Sequence, residues 1–234
     1  MTHPYYQQRA PLIAEQLNAN LALVADEFAR AAPQVDLEQI RPALADELAD
    51  VIAALPWVGG EQGRMTAYFE QNAGIIALGR VLLGQGLERS VVAHLLTRTF
   101  LAPLTQLDEE TRFAMGRDFM ANASIKRLHE LAEKSREREN PGDFVYTMVD
   151  AGADDTGHAF DFGIDYHECG FCKLCARTGD DAILPMICNM DEESYALRGV
   201  RLTRTQTLAS GASHCNFRYS LLPEAAKDAG QSNK

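Results

Sequence analysis

No cysteine occurs before Cys169, and the five that follow are an odd number. The opening Met1-Thr2-His3-Pro4-Tyr5-Tyr6 also lacks a cationic region followed by an apolar stretch, so no secretory leader is evident. Together these features argue against a disulfide framework and leave reduced thiols, metal ligands or a nucleophile as readings of the cysteines. Nowhere does an apolar run approach the roughly 20 residues needed to cross a bilayer. A cytoplasmic protein without a membrane partner is expected. Basic residues are scarce: 22 Lys and Arg stand against 33 Asp and Glu, a formal charge of −11. Such a surface repels phosphate backbones and anionic lipid, which excludes nucleic acid and leaves a small molecule as the expected partner. Internal repeats and low-complexity segments are lacking too.

What remains is an ordinary globular composition, 46% hydrophobic and 24% charged, with enough length for one large or two small cores. The first 140 residues read as helices. Leu12, Ile13, Leu17, Leu21, Val24 and Phe28 recur at spacings of three and four along one helix that Pro33 ends. Further helices are predicted from about Leu37 to Leu55, Met65 to Leu83 and Leu87 to Phe100, punctuated by Pro56, Gly59-Gly60 and Gly84-Gln85-Gly86. Asp108 is a natural N-cap for a fifth helix running to about Arg138, with Glu109 and Glu110 in its first turn. Asn140-Pro141-Gly142-Asp143 breaks the pattern, and a domain boundary is placed there.

Beyond it the periodicity changes. Residues 144–149 and 158–166 read as a hairpin about the turn Asp154-Asp155-Thr156-Gly157, residues 168–197 as two short helices broken near Gly179-Asp180-Asp181, and Val200 to Thr207 and Cys215 to Leu222 as strands. The expected class is α+β: a helical domain over 1–140, then an antiparallel sheet with short helices over 141–222 carrying the site, and a mobile tail over 223–234. Broad helical faces in the first part are able to pack on the second or on another copy of the chain, so a homo-oligomer is left open.

Chemistry-bearing residues gather between His158 and Arg218. Cys169, Cys172 and Cys175 invite a metal reading, with Cys188 as a fourth candidate ligand. Position 179 is Gly, so the four-cysteine iron–sulfur spacing is not met. On a helix, residues 169 and 175 rise about 9 Å apart, too far for one zinc unless the segment unwinds. The alternative is that Cys172, Cys175 and Cys188 are small packing residues. A divalent metal ion is the one cofactor left open, and none is required. Cys169, at a helix start beside His167 and Glu168, is a candidate thiolate nucleophile. Cys215 is the other, although on a strand it points away from its neighbour His214. Arg204 and Arg218 are candidate forks for a substrate carboxylate, and either is equally able to form an ion pair with Asp191 or Glu168. His94, His129 and His158 lack polar company and read as ordinary histidines.

Four segments carry a resemblance: Asp165-Tyr166-His167-Glu168-Cys169-Gly170, Cys188-Asn189-Met190-Asp191, Leu202 through Gly211, and Cys215-Asn216-Phe217-Arg218-Tyr219. They resemble the L-2-amino-thiazoline-4-carboxylic acid hydrolase family, whose pattern is Glu-Cys, Cys-x-x-Asp, Arg-x-x-Thr, Gly and Cys-Asp-Phe-Arg. Asn216 departs from it, standing where the family has an aspartate. The resemblance implies opening of a thiazoline ring to N-carbamoyl-L-cysteine on a bacterial route to L-cysteine. Under it, Glu168, Asp191 and His167 are candidates for steadying the amidine and activating water, with Cys169 or Cys215 as the nucleophile of a covalent variant. Arg204, Arg218 and His214 are the candidates for substrate binding. The Cys-x-Phe-Arg portion is also similar to a small-molecule-binding domain of bacterial ligand sensors and vinyl-reductase-like proteins, which implies, as the alternative, a non-catalytic sensor of a small molecule or metal.

Overall fold

In the computed structural model, which describes residues 3–154 and 156–226, the chain divides into two compact units. The first comprises residues up to 103, with 140–142 and 170–188; the second comprises 104–139, 143–169 and 189 onward. The class is α+β, with helices mainly in the first half and a four-stranded antiparallel sheet in the second.

The first unit is built on α1 (Pro4–Leu23), α2 (Ala25–Ala31), α3 (Leu37–Ala54), α4 (Thr66–Gly84) and all but the end of α5 (Arg89–Thr105). His3 caps α1 by accepting from the Tyr5 amide, and Pro4 fits the first turn, where its missing N–H is not needed. The single helix expected through Phe28 is interrupted at Val24, whose backbone leaves helical geometry. Asp36 caps α3 through the amides of Glu38 and Gln39. α4 is buried on nearly every side, from Phe69 through Leu82. Near its end, Arg80 donates from Nε and Nη2 to both oxygens of Asp180 at 2.8 Å, tying α4 to the turn between α8 (Gly170–Thr178) and α9 (Leu184–Ala196). Burial on its own would raise the Asp180 pKa; the guanidinium and the Thr178 hydroxyl outweigh it and hold the pKa below the usual value. Among the described residues no helix is long and apolar enough to cross a membrane.

The second unit carries the sheet, in the order β1 (Val145–Ala153), β2 (Ala159–Glu168), β4 (Cys215–Leu221), β3 (Val200–Thr203). Register pairs Tyr166 with Cys215, Ile164 with Phe217, Phe162 with Tyr219 and Tyr219 with Leu202. These residues form the core with Tyr146 and Val200, packed against Leu128 and Ala132. Those two lie on α7 (Asn122–Ser135), and Phe119 of α6 (Glu109–Met120) meets Phe162, Tyr195 and Tyr219 with ring centroids 5.5, 5.1 and 5.1 Å away. α6 and α7 therefore complete the sheet's core.

Three further expectations are corrected. The fifth helix is two, because Ala121 is extended (φ −68°, ψ 145°) between α6 and α7. The strand expected to reach Thr207 ends at Thr203, and a capped 3-10 turn follows over Leu208–Ser210. The tail does not begin at Pro223: Pro223–Ala226 form a helical turn, α10, with Ala225 buried. Residues 227–234 of that expected tail, Met1 and Thr2 of the opening, and Asp155 of the hairpin turn lie outside the described residues.

Candidate active site

Strand alternation assigns the second face of the sheet to a different set of residues. Register puts Thr147 opposite Asp165, Asp165 opposite Asn216, Gly163 opposite Arg218 and Thr203 opposite Arg218, with His167 two residues beyond Asp165. Over this face opens a cleft of about 380 Å³, lined by Val149, Ala153, Asp154, Phe160, Thr203–Gln206, His214, Asn216 and Arg218.

Arg218 is the best-defined group in it. Nη1 donates to Asp165 Oδ1 at 2.7 Å and to the Phe217 carbonyl at 2.9 Å, and its guanidinium carbon stands 5.4 Å from the centre of the Phe160 ring. On the other oxygen of Asp165 is His214, whose Nε2 is 3.9 Å away. The Ser213 hydroxyl lies 3.0 Å from His214 Nδ1, and the Gln206 carboxamide rests against the same ring. The His167 ring is 5.8 Å from that of His214, with its Nε2 3.0 Å from the Thr147 hydroxyl.

Two further groups shape the rim. Asp154 accepts from the Thr156 amide and hydroxyl, the His158 amide and, across the sheet, the Thr203 hydroxyl at 3.0 Å. These bonds, the Thr156 hydroxyl foremost, hold its pKa well below the usual carboxylate range, so it is an anion at neutral pH. Asn216 Oδ1 accepts from the amides of Thr205 and Gln206 at 3.0 and 2.9 Å, while its Nδ2 donates to Thr205 Oγ1. Its carboxamide thus replaces the strand ladder that ends at Thr203 and fixes the loop forming one wall.

Of the residues expected to act, the structure brings together His214, Arg218 and, on the same face, His167. The others are elsewhere. Glu168 falls on the opposite parity of β2 and bonds Arg138 Nε at 2.6 Å. Cys215 points into the apolar core, where its sulfur accepts from the Leu208 amide. Cys169 is half-buried between β2 and α8 and is not among the residues lining the cleft. Asp191, on α9, accepts from Arg204 Nη1 at 3.2 Å. Although Arg204 borders the cleft, its side chain is only 3% exposed and its guanidinium lies over the Phe217 ring, which makes it a structural member of the wall. Cys172, Cys175 and Cys188 belong to the first unit. Cys175 is fully buried there, and burial pushes its thiol up to about 12, so it is not a thiolate. Among the described residues, no group of three or more His, Cys, Asp or Glu side chains is placed to hold a metal ion.

Sequence reasoning missed Asp165, Asp154, Gln206 and Thr203. Asp165 and His167 share parity on one strand, but only the register with β4 reveals that Arg218 and His214 meet them.

A family model described as L-2-amino-thiazoline-4-carboxylic acid hydrolase matches residues 89–219, more than half of the chain. The chain belongs to this family. The match reaches well upstream of the Asp165–Tyr219 stretch that carries the resemblance, taking in α5, α6 and α7 as well as every lining residue of the cleft. Comparison with curated proteins and with solved structures finds no match.

Proposed function

We propose that the protein is a cyclic-amidine hydrolase that opens L-2-amino-thiazoline-4-carboxylate to N-carbamoyl-L-cysteine in the cleft over the sheet. The observation that carries this reading is the Asp165–Arg218–His214 cluster, which supplies an anion receptor and an imidazole in a cleft of small-molecule size within a chain of this family. The substrate is a small zwitterion, and a protein of net charge −11 needs a local cation to receive its carboxylate. Arg218 fills that role by two parallel hydrogen bonds. Asp154, held ionised at the cleft wall, favours the protonated amidine, the form most open to attack.

His214 takes a proton from water as its oxygen bonds to C2 of the ring. A C=O bond then forms at the tetrahedral carbon as the C2–S bond breaks; sulfur departs with the electron pair, and the hydroxyl proton passes to it through solvent to give the free thiol. The ring nitrogen and the exocyclic amine both stay on C2, giving the carbamoyl product. A thiol of pKa near 8.5 leaves readily, so no strong acid is needed at sulfur. The inward placement of Cys215 favours this direct route over a covalent one.

Purified protein is expected to release one thiol per turnover from this substrate. His214→Ala should lower kcat by about 10²- to 10⁴-fold, the usual worth of a general base, while Cys169→Ser stays near the wild-type rate. Absence of thiol from the wild-type protein, with or without added divalent metal, would overturn the assignment. Loss of turnover in Cys169→Ser would restore the covalent route.

A further inference from the structure

Arg218 does not hold its position unaided. It faces Gly163 directly across the β2–β4 ladder, and its side chain lies flat over that glycine: a Cβ at position 163 would come within 2.9 Å of both Arg218 Cδ and Nη1 and within 2.8 Å of the Phe217 carbonyl oxygen. Any side chain there would lift the guanidinium from the sheet. Lying flat, Nη1 reaches Asp165, the diagonal neighbour two residues along β2, while the same nitrogen also donates to the Phe217 carbonyl. Both Nη1 protons are then in use. A guanidinium has five N–H donors in a rigid plane, so the three on Nε and Nη2 are those left for a ligand.

We infer that Asp165 and Gly163 are positioning residues which pin one edge of Arg218, so that its Nε–Nη2 edge receives a single planar carboxylate in one fixed orientation. Asp165 acts through Arg218 and touches no ligand itself. The restraint on Arg218 is a property of the free protein, while the carboxylate it receives and the kinetic consequence rest on the proposed function. Pre-organisation of this kind strengthens binding because the side chain has little freedom left to lose.

Two measurements test it. In protein labelled at arginine with ¹⁵N and ¹³C, the Arg218 signals, identified by their loss in Arg218→Lys, should show hindered rotation about the Cζ–Nη bonds. Asp165→Asn and Gly163→Ala should each release that restraint. An Arg218 that rotates freely in the wild type, or stays equally hindered in both variants, would overturn the inference whether or not the protein is active. In the thiol-release assay, Asp165→Asn should raise KM by about 10- to 100-fold, as expected for loss of a charge-assisted hydrogen bond to Arg218. In an Arg218→Lys background the same substitution should add little. A full, additive effect there would show that Asp165 acts independently of Arg218 and would count against positioning. If the wild type releases no thiol, the proposed function falls and the labelled-arginine result alone decides this inference.

Discussion

Asn216 stands where the resemblance implies an aspartate, and its bonds say what either side chain would have to supply there. What the fold asks of this side chain is one oxygen accepting from the Thr205 and Gln206 amides. A carboxylate offers the same oxygen, and the Thr205 hydroxyl is able to turn and donate where it now accepts. Asn216→Asp should therefore keep stability within about 0.5 kcal/mol, whereas Asn216→Ala, which leaves two amides without their acceptor, should cost about 1–2 kcal/mol in urea unfolding. Equal losses in the two variants would contradict the acceptor role. At this scale the sequence was informative about type and poor about company. Arg218 and His214 stood out as a cation and an imidazole near the chain end. Asp165 did not, because a lone aspartate on a strand gives no sign of what lies across the ladder.

The hairpin of β1 and β2 is the element on which the site depends, and Asp154 closes it. The bonds that lower its pKa are native ones, so they stabilise the fold fully at pH above about 4, the ordinary range for the unfolded chain. As pH falls below that range toward the lower folded-state value, the contribution is lost. Asp154→Asn should therefore be less stable than the wild type at pH 7, and the gap between their urea midpoints should narrow at pH 3. A gap independent of pH would remove the charge from the explanation. Turn chemistry made the hairpin legible, since Asp, Thr and Gly cluster between two runs of strand formers. The division between α6 and α7 was not legible in the same way. Ala121 is a good helix former, with neither proline nor glycine beside it, so nothing in the local sequence marks the break. The constraint on Gly116 of α6 is equally invisible locally: a Cβ there would fall 1.8 Å from the carbonyl oxygen of Arg198, a residue far along the chain.

For the molecule as a whole, the Pro141-Gly142 break was the plainest punctuation in the sequence, but punctuation and packing differ. Segment 104–139 lies before the break and belongs to the unit that holds the sheet. Amphipathic periodicity shows that a helix needs a partner without saying which one; Leu128 and Ala132 find theirs in Tyr146, Phe162 and Tyr219. A fragment starting at residue 141 should consequently bind a hydrophobic dye and lack near-UV circular dichroism, because it exposes the apolar face those helices cover. A cooperative transition in that fragment, similar to that of the full chain, would show that the sheet stands without them.

The inward turn of Cys215 and the deep burial of Cys175 have a practical corollary for the bench. A colorimetric sulfhydryl reagent added to the folded protein meets Cys169, Cys172 and Cys188 as partly accessible groups and the other two as shielded ones. The protein blank should accordingly level off near three equivalents rather than five, and only signal rising beyond that plateau would report on the proposed reaction.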